Sequence, residues 1–209
     1  MATFSQLKTE IANKWGEPDK ASLIGDQLNS VIRYFSRNRF WFNEESTSIT
    51  LTIGDPVIPN IPSDFLYEIP DGGLIIDYSD QRYRLEKVGN AEYASRNSGD
   101  TGIPEIYRNR DSQLEVYFYP DQAYTLLLFY VKGYTDLSAD GDTNGFTDNA
   151  ERLIVNQTLA ELFEHYNRDM EKGGYFRSIA NLEFQNLMRE SAGRTSTGSL
   201  DINELTTYM

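Results

Sequence analysis

Hydrophobic spacing changes period twice along this chain, and that change limits the fold more than any other feature. Phe4, Leu7, Ile11 and Trp15 recur at helical spacing behind a Thr3/Gln6 capping-box pair, and the run stops at Gly16 and Pro18. A second helix is predicted from about Lys20 to Asn38, with Leu23, Leu28, Val31, Ile32 and Phe35 on one side. From Ser46 the period drops to two: Ile49, Leu51 and Ile53 alternate with Ser48, Thr50 and Thr52, as in a half-buried strand. Turn residues at Gly54-Asp55, Ser79-Asp80 and Pro120-Asp121 then separate strand-like runs at Leu74–Tyr78, Leu114–Tyr119 and Tyr124–Tyr134, with a short helix around Ala91–Arg96. Helical spacing returns at about Asp148, ends at Gly173-Gly174 and resumes from Tyr175 through Leu187.

Two helices therefore open the chain and two close it, and neither pair can bury its stripe alone. The expected fold is α+β: a helical bundle from the N- and C-terminal helix pairs, an inserted antiparallel β lobe and an extended C-terminal tail. The boundaries are residues 1–45 for the first helices, 46–137 for the β domain, 138–191 for the last helices and 192–209 for the tail. Eight of the last eighteen residues are Gly, Ser or Thr, a composition that does not fold by itself. Leu200, Ile202, Leu205 and Tyr208 are spaced along it like anchors for a groove on another subunit.

With 209 residues the chain can bury a core without staples, and it has no cysteine. That excludes thiolate catalysis, zinc ribbons and disulfide scaffolds, and fits assembly in a reducing cytosol. The first sixteen residues hold no continuous apolar run, so neither a signal peptide nor a membrane span is expected. A net charge of -13 repels phosphate backbones, which disfavours gripping DNA while permitting DNA to be enclosed.

The sharpest chemical motif is Asp140-Gly141-Asp142-Thr143-Asn144-Gly145 followed by Glu151. Asp140, Asp142, Asn144, Asp148 and Glu151 have the ligand spacing of an EF-hand calcium loop. Strand precedes it instead of helix, and Thr147 stands where an apolar β-branched residue normally packs. The favoured alternative is a strand-to-helix connection in which Thr147 or Asp148 caps the helix. No other metal or cofactor is expected. His165 is the only histidine and has no partner residue for a transition-metal site or a serine triad. Glu161 and Glu164 read as a charged outer helix face ahead of a glycosidase pair. In the run from Arg33 to Phe42, Arg33, Arg37, Arg39 and Trp41 interleave basic and aromatic side chains. Such a run at a helix end points to packing or a subunit contact ahead of a nucleic-acid platform.

Four segments, taken in order, resemble the bacteriophage head-to-tail adaptor family, also called tail accessory or neck proteins. They are the helix pair closing in Ile32-Arg33-Tyr34-Phe35 and Arg39-Phe40-Trp41-Phe42 before the strand at Ser46–Ile53; Ile61-Pro62-Ser63-Asp64-Phe65-Leu66-Tyr67; Gly102-Ile103-Pro104-Glu105-Ile106-Tyr107 with the strands that follow; and Leu137-Ser138 with the Asp/Asn-rich loop before Leu153-Ile154. The resemblance implies a non-enzymatic virion protein of the head-tail junction, assembled in the host cytoplasm. It implies a homo-oligomeric ring of twelve subunits under the portal protein, tail nozzle or fibre proteins bound below, and DNA passing through without specific binding. The competing readings are a calcium- or glycan-binding β module and a cell-wall hydrolase of the virion.

Overall fold

The computed structural model describes residues 1–70, 72–96, 99–110 and 113–195. In chain order the elements are α1 (Phe4–Trp15), α2 (Ala21–Phe35), β1 (Glu44–Thr50), β2 (Phe65–Glu68), β3 (Leu74–Tyr78), β4 (Gln81–Arg84), β5 (Glu86–Lys87), α3 (Asn90–Ala94), β6 (Thr101–Gly102), β7 (Ile106–Arg110), β8 (Gln113–Tyr117), β9 (Tyr119–Pro120), β10 (Thr125–Lys132), α4 (Gly145–Asn149), α5 (Glu151–Leu162) and α6 (Met170–Thr195). The fold is α+β, as the change of period predicts. The chain divides into two compact units, Met1–Asn43 with Tyr134–Met209, and Glu44–Gly133.

In the helical unit α5 is the central element. Every residue from Leu153 to Ala160 is buried, and α1, α2, α4 and α6 all pack against this helix. Leu7, Ile11, Ile24, Leu28, Phe146, Leu153, Ile154 and Leu159 form one core, so the two ends of the sequence bury each other's stripes. The capping box at Thr3 forms as read, and Gly16 closes α1 in the left-handed conformation (φ 86°) that favours glycine.

Two helix boundaries differ from the reading of the sequence. The break expected at Gly173-Gly174 lies earlier, where a π turn over Phe163–Asn167 ends in left-handed Arg168 (φ 56°), and α6 then runs through both glycines. Lys172 N–H donates to the Asp169 carboxylate at 3.0 Å, capping the new helix. At its far end α6 continues to Thr195, so residues 192–195 are helix where tail was expected. The anchors Leu200, Ile202, Leu205 and Tyr208 lie outside the described residues.

In the β unit, β10 is the spine. It pairs antiparallel with β1 along one edge and with β2 and β3 along the other, giving the order β1-β10-β3-β4 with β2 beside β3's end of the ladder. Leu126, Leu128 and Tyr130 of β10 face Ile49, Leu74, Ile76, Leu114, Val116 and Tyr124 in the core of this unit. The lobe is not wholly antiparallel, because β5 pairs parallel with β7 and β6 parallel with β9. β7 and β8 form an antiparallel hairpin.

Candidate functional site

The basic-aromatic run at the end of α2 splits by polarity. Phe40 is fully buried and stacks on Phe42 at 5.1 Å between ring centroids; Phe146 sits edge-on to both and to Tyr134. Phe184 of α6 closes on Phe35 and Phe40. Aromatic pairs in these geometries add to area burial, so this cluster fixes the corner where α2, α4 and α6 meet.

A buried asparagine holds the corner's backbone. Asn43 accepts from the Phe40 N–H (2.7 Å) and donates to the carbonyls of Ser36 (3.2 Å) and Asn38 (2.8 Å). Asn29 makes a matching pair with the N–H and carbonyl of Leu137, both at 3.0 Å. Neither residue was singled out from the sequence. The available signal for Asn43 was an asparagine closing the Phe40-Trp41-Phe42 run in the loop after α2, a side chain that can mimic a backbone turn.

The four residues read as a subunit contact lie in the last turn of α2 and in the loop that follows it. Arg33 is turned to Asp136, Arg37 is exposed, and Arg39 is half-buried. Trp41 lies against Phe42 and carries the Arg194 guanidinium over its ring at 4.3 Å. This contact holds the last turn of α6 against the α2 corner.

The Asp140 loop is spent on helix ends. The carbonyls of Asp142 and Asp140 accept from Phe4 and Ser5 N–H at 3.0 and 3.1 Å, filling open donors of the first turn of α1. Lys8 reaches the Asp140 carboxylate at 3.0 Å. The Asp142 carboxylate accepts from Ser138 and Ala139 N–H, and those two bonds hold its pKa below the usual value. Asn144, and not Thr147 or Asp148, is the N-cap of α4, accepting from Phe146 and Thr147 N–H while the Thr147 hydroxyl accepts from Asn144 N–H. Asp148 is exposed in the first turn of α4 and Glu151 opens α5. Among the described residues no three His, Asp or Glu side chains gather as a metal site.

Glu161 and Glu164 depart from the charged outer face expected of them. Glu161 accepts from Gln27 of α2 and from Gln157, and Glu164 takes a two-point bond from Arg177 of α6. Arg177 lowers the Glu164 pKa and is itself raised by that partner. His165 is exposed.

In the β unit a cleft of about 340 Å³ is lined by Pro70, Gly72, Gly73, Arg84, Lys87 and Tyr107 among others. Buried Glu68 beside it is ion-paired to Lys87, and burial, with the Glu68 charge second, pushes the Tyr107 phenol up. One Glu68 oxygen takes Lys87, and the other, Oε2, is buried without a hydrogen-bond partner. Among the described residues no helix is long and apolar enough to cross a membrane.

A family model described as SU10 adaptor protein matches residues 2–202, nearly the whole chain. The chain belongs to that family. No curated protein matches it. The match agrees with the resemblance to phage head-to-tail adaptors, and its span takes in both units of the adaptor, including α6 and the corner at Trp41.

Proposed function

We propose that this phage adaptor forms a ring, of twelve subunits by its family resemblance, beneath the portal protein at the head-tail junction of the virion. The ring extends the DNA channel and offers a platform to tail nozzle or fibre proteins. The observation that carries this reading is the family match over residues 2–202. A net charge of -13 supports it, since an acidic channel wall lets DNA slide without adhering. Under this reading Leu200, Ile202, Leu205 and Tyr208 anchor the chain's end to the portal, Arg33, Arg37, Arg39 and Trp41 lie at a subunit contact, and assembly takes place in the host cytoplasm.

Mixing the purified chain with its cognate portal and weighing the product tests this. The portal is expected to gain mass in steps of 23.9 kDa, while the free chain sediments as a monomer. A portal that never gains adaptor mass would sink the proposal.

A further inference from the structure

Among the described residues the five-stranded sheet ends in two strands that each have one partner: β1 pairs only with β10, and β4 only with β3. Leu51 N–H donates to the Tyr124 carbonyl on the β10 side, so by strand alternation the backbone groups of Glu44, Ser46, Ser48 and Thr50 point away from β10. Leu85 N–H donates to the Leu74 carbonyl on the β3 side, so the same alternation turns the groups of Arg82 and Arg84 outward. Ser46, Ser48, Thr50 and all four residues of β4 are exposed.

Edge strands are usually blunted by lysine, proline, a bulge or short length. β1 has seven residues, no proline or lysine, and an unbroken register with β10 from Glu44 to Thr50. The charges of the two edges are opposite, Glu44 and Glu45 on β1 against Arg82 and Arg84 on β4. On β4, Arg82 reaches Asp77 at 3.4 Å and Arg84 the Pro70 carbonyl at 3.3 Å, both in the open, where such contacts contribute little; on β1, Glu45 is paired with Lys132 of β10 at 2.9 Å.

We infer that β1 of one copy pairs antiparallel with β4 of the next, so that the sheet continues from subunit to subunit. Matching the outward backbone groups allows registers two residues apart, and the one that brings an acidic residue to a basic one sets Glu44 opposite Arg84 and Ser46 opposite Arg82, with Glu45 opposite Tyr83. Opposite charges facing across strands stabilise the pair, whereas pairing β4 with itself sets arginines against arginines. The contact joins two different edges, so it is head-to-tail and closes into a ring or runs on as a filament. This inference rests on the ring reading above and gives that ring its interface.

The chain has no cysteine, so introduced thiols report on single contacts. Directly opposed positions in an antiparallel ladder lie about 5.5 Å apart at Cα, within disulfide reach. Chains carrying Ser46→Cys are mixed with chains carrying Arg82→Cys under mild oxidation, concentrated alone and bound to the cognate portal. A mixed dimer in several-fold excess over either homodimer, and a ladder of multimers from the double variant, is the expected result. Absence of the mixed link in both settings overturns the inference, as does a dominant Ser46→Cys homodimer, which would mean two-fold pairing of β1 with itself. Mass gained by the portal without the link rejects the edge pairing alone, and the link without mass gain upholds the pairing while rejecting the portal reading.

Discussion

Asn43 shows how much of a corner one side chain can hold. It is fully buried and satisfies three backbone groups, one of them the N–H of fully buried Phe40. Truncation strands those groups away from water, and each unsatisfied group costs about 1–3 kcal/mol. Asn43→Ala is therefore expected to lower stability by about 2–4 kcal/mol in a urea titration, and Asn38→Ala, which removes one half-exposed donor, by clearly less. Equal midpoints for the two variants would contradict this account. At this scale the sequence was legible where a residue type has one common use, as with Thr3 and Gln6 at the head of α1. It was least legible for Asn29 and Asn43, because a buried asparagine leaves no periodic trace. The Asp140 loop was half legible: its oxygens are arranged to bind something, and what they bind is the open N–H groups of α1 and α4.

At the scale of elements, the misplaced boundary in the last helices has a physical reason. Glycine is both a helix terminator and the smallest residue at a helix crossing, and the sequence alone does not separate the two uses. A Cβ on Gly173 would strike the side chain of Glu164, the residue that grips Arg177, so here the glycine permits close approach of α6 to the end of α5. Gly173, Ala180 and Leu187, buried at intervals of seven, continue the seam, with Phe176 stacked on Phe163. The chain reverses instead at Arg168, a non-glycine residue in the left-handed region that no composition rule points to. Ala180→Leu should overpack the seam and lower stability by about 1–3 kcal/mol, read as a reduced unfolding midpoint. An unchanged midpoint would show that α6 is held from elsewhere. The strands were easier to read, since alternation survives from Thr47 to Leu51, although β1 ends at Thr50 and Ile53 is exposed in the turn beyond it; the parallel pairs β5/β7 and β6/β9 are two residues each and too short to register as a pattern.

For the whole molecule, the concentration of tyrosine in the β unit sets an alkaline limit. Burial first, with nearby carboxylates second, pushes Tyr130 up to about 12; burial likewise takes Tyr93 to about 12 and raises Tyr107, Tyr117 and Tyr124. A phenol whose folded value exceeds its ordinary 10.0 favours the native state fully below pH 10, and that contribution is lost as pH rises toward about 12. Tyrosinate absorbance is expected to appear cooperatively with loss of β structure across that interval. A gradual titration centred at pH 10 with the fold intact would contradict the burial described.

The helical unit is assembled from residues on both sides of an uninterrupted β unit, and the first turn of α1 takes its missing acceptors from the carbonyls of Asp140 and Asp142. A ribosome emits the whole of Glu44–Gly133 before those acceptors exist. The nascent α1 and α2 must therefore wait, with one apolar stripe uncovered, while the inserted sheet has all its strands in hand. The part of the chain made first is completed last, and a release that comes early leaves a finished sheet beside an unsheltered helical hairpin.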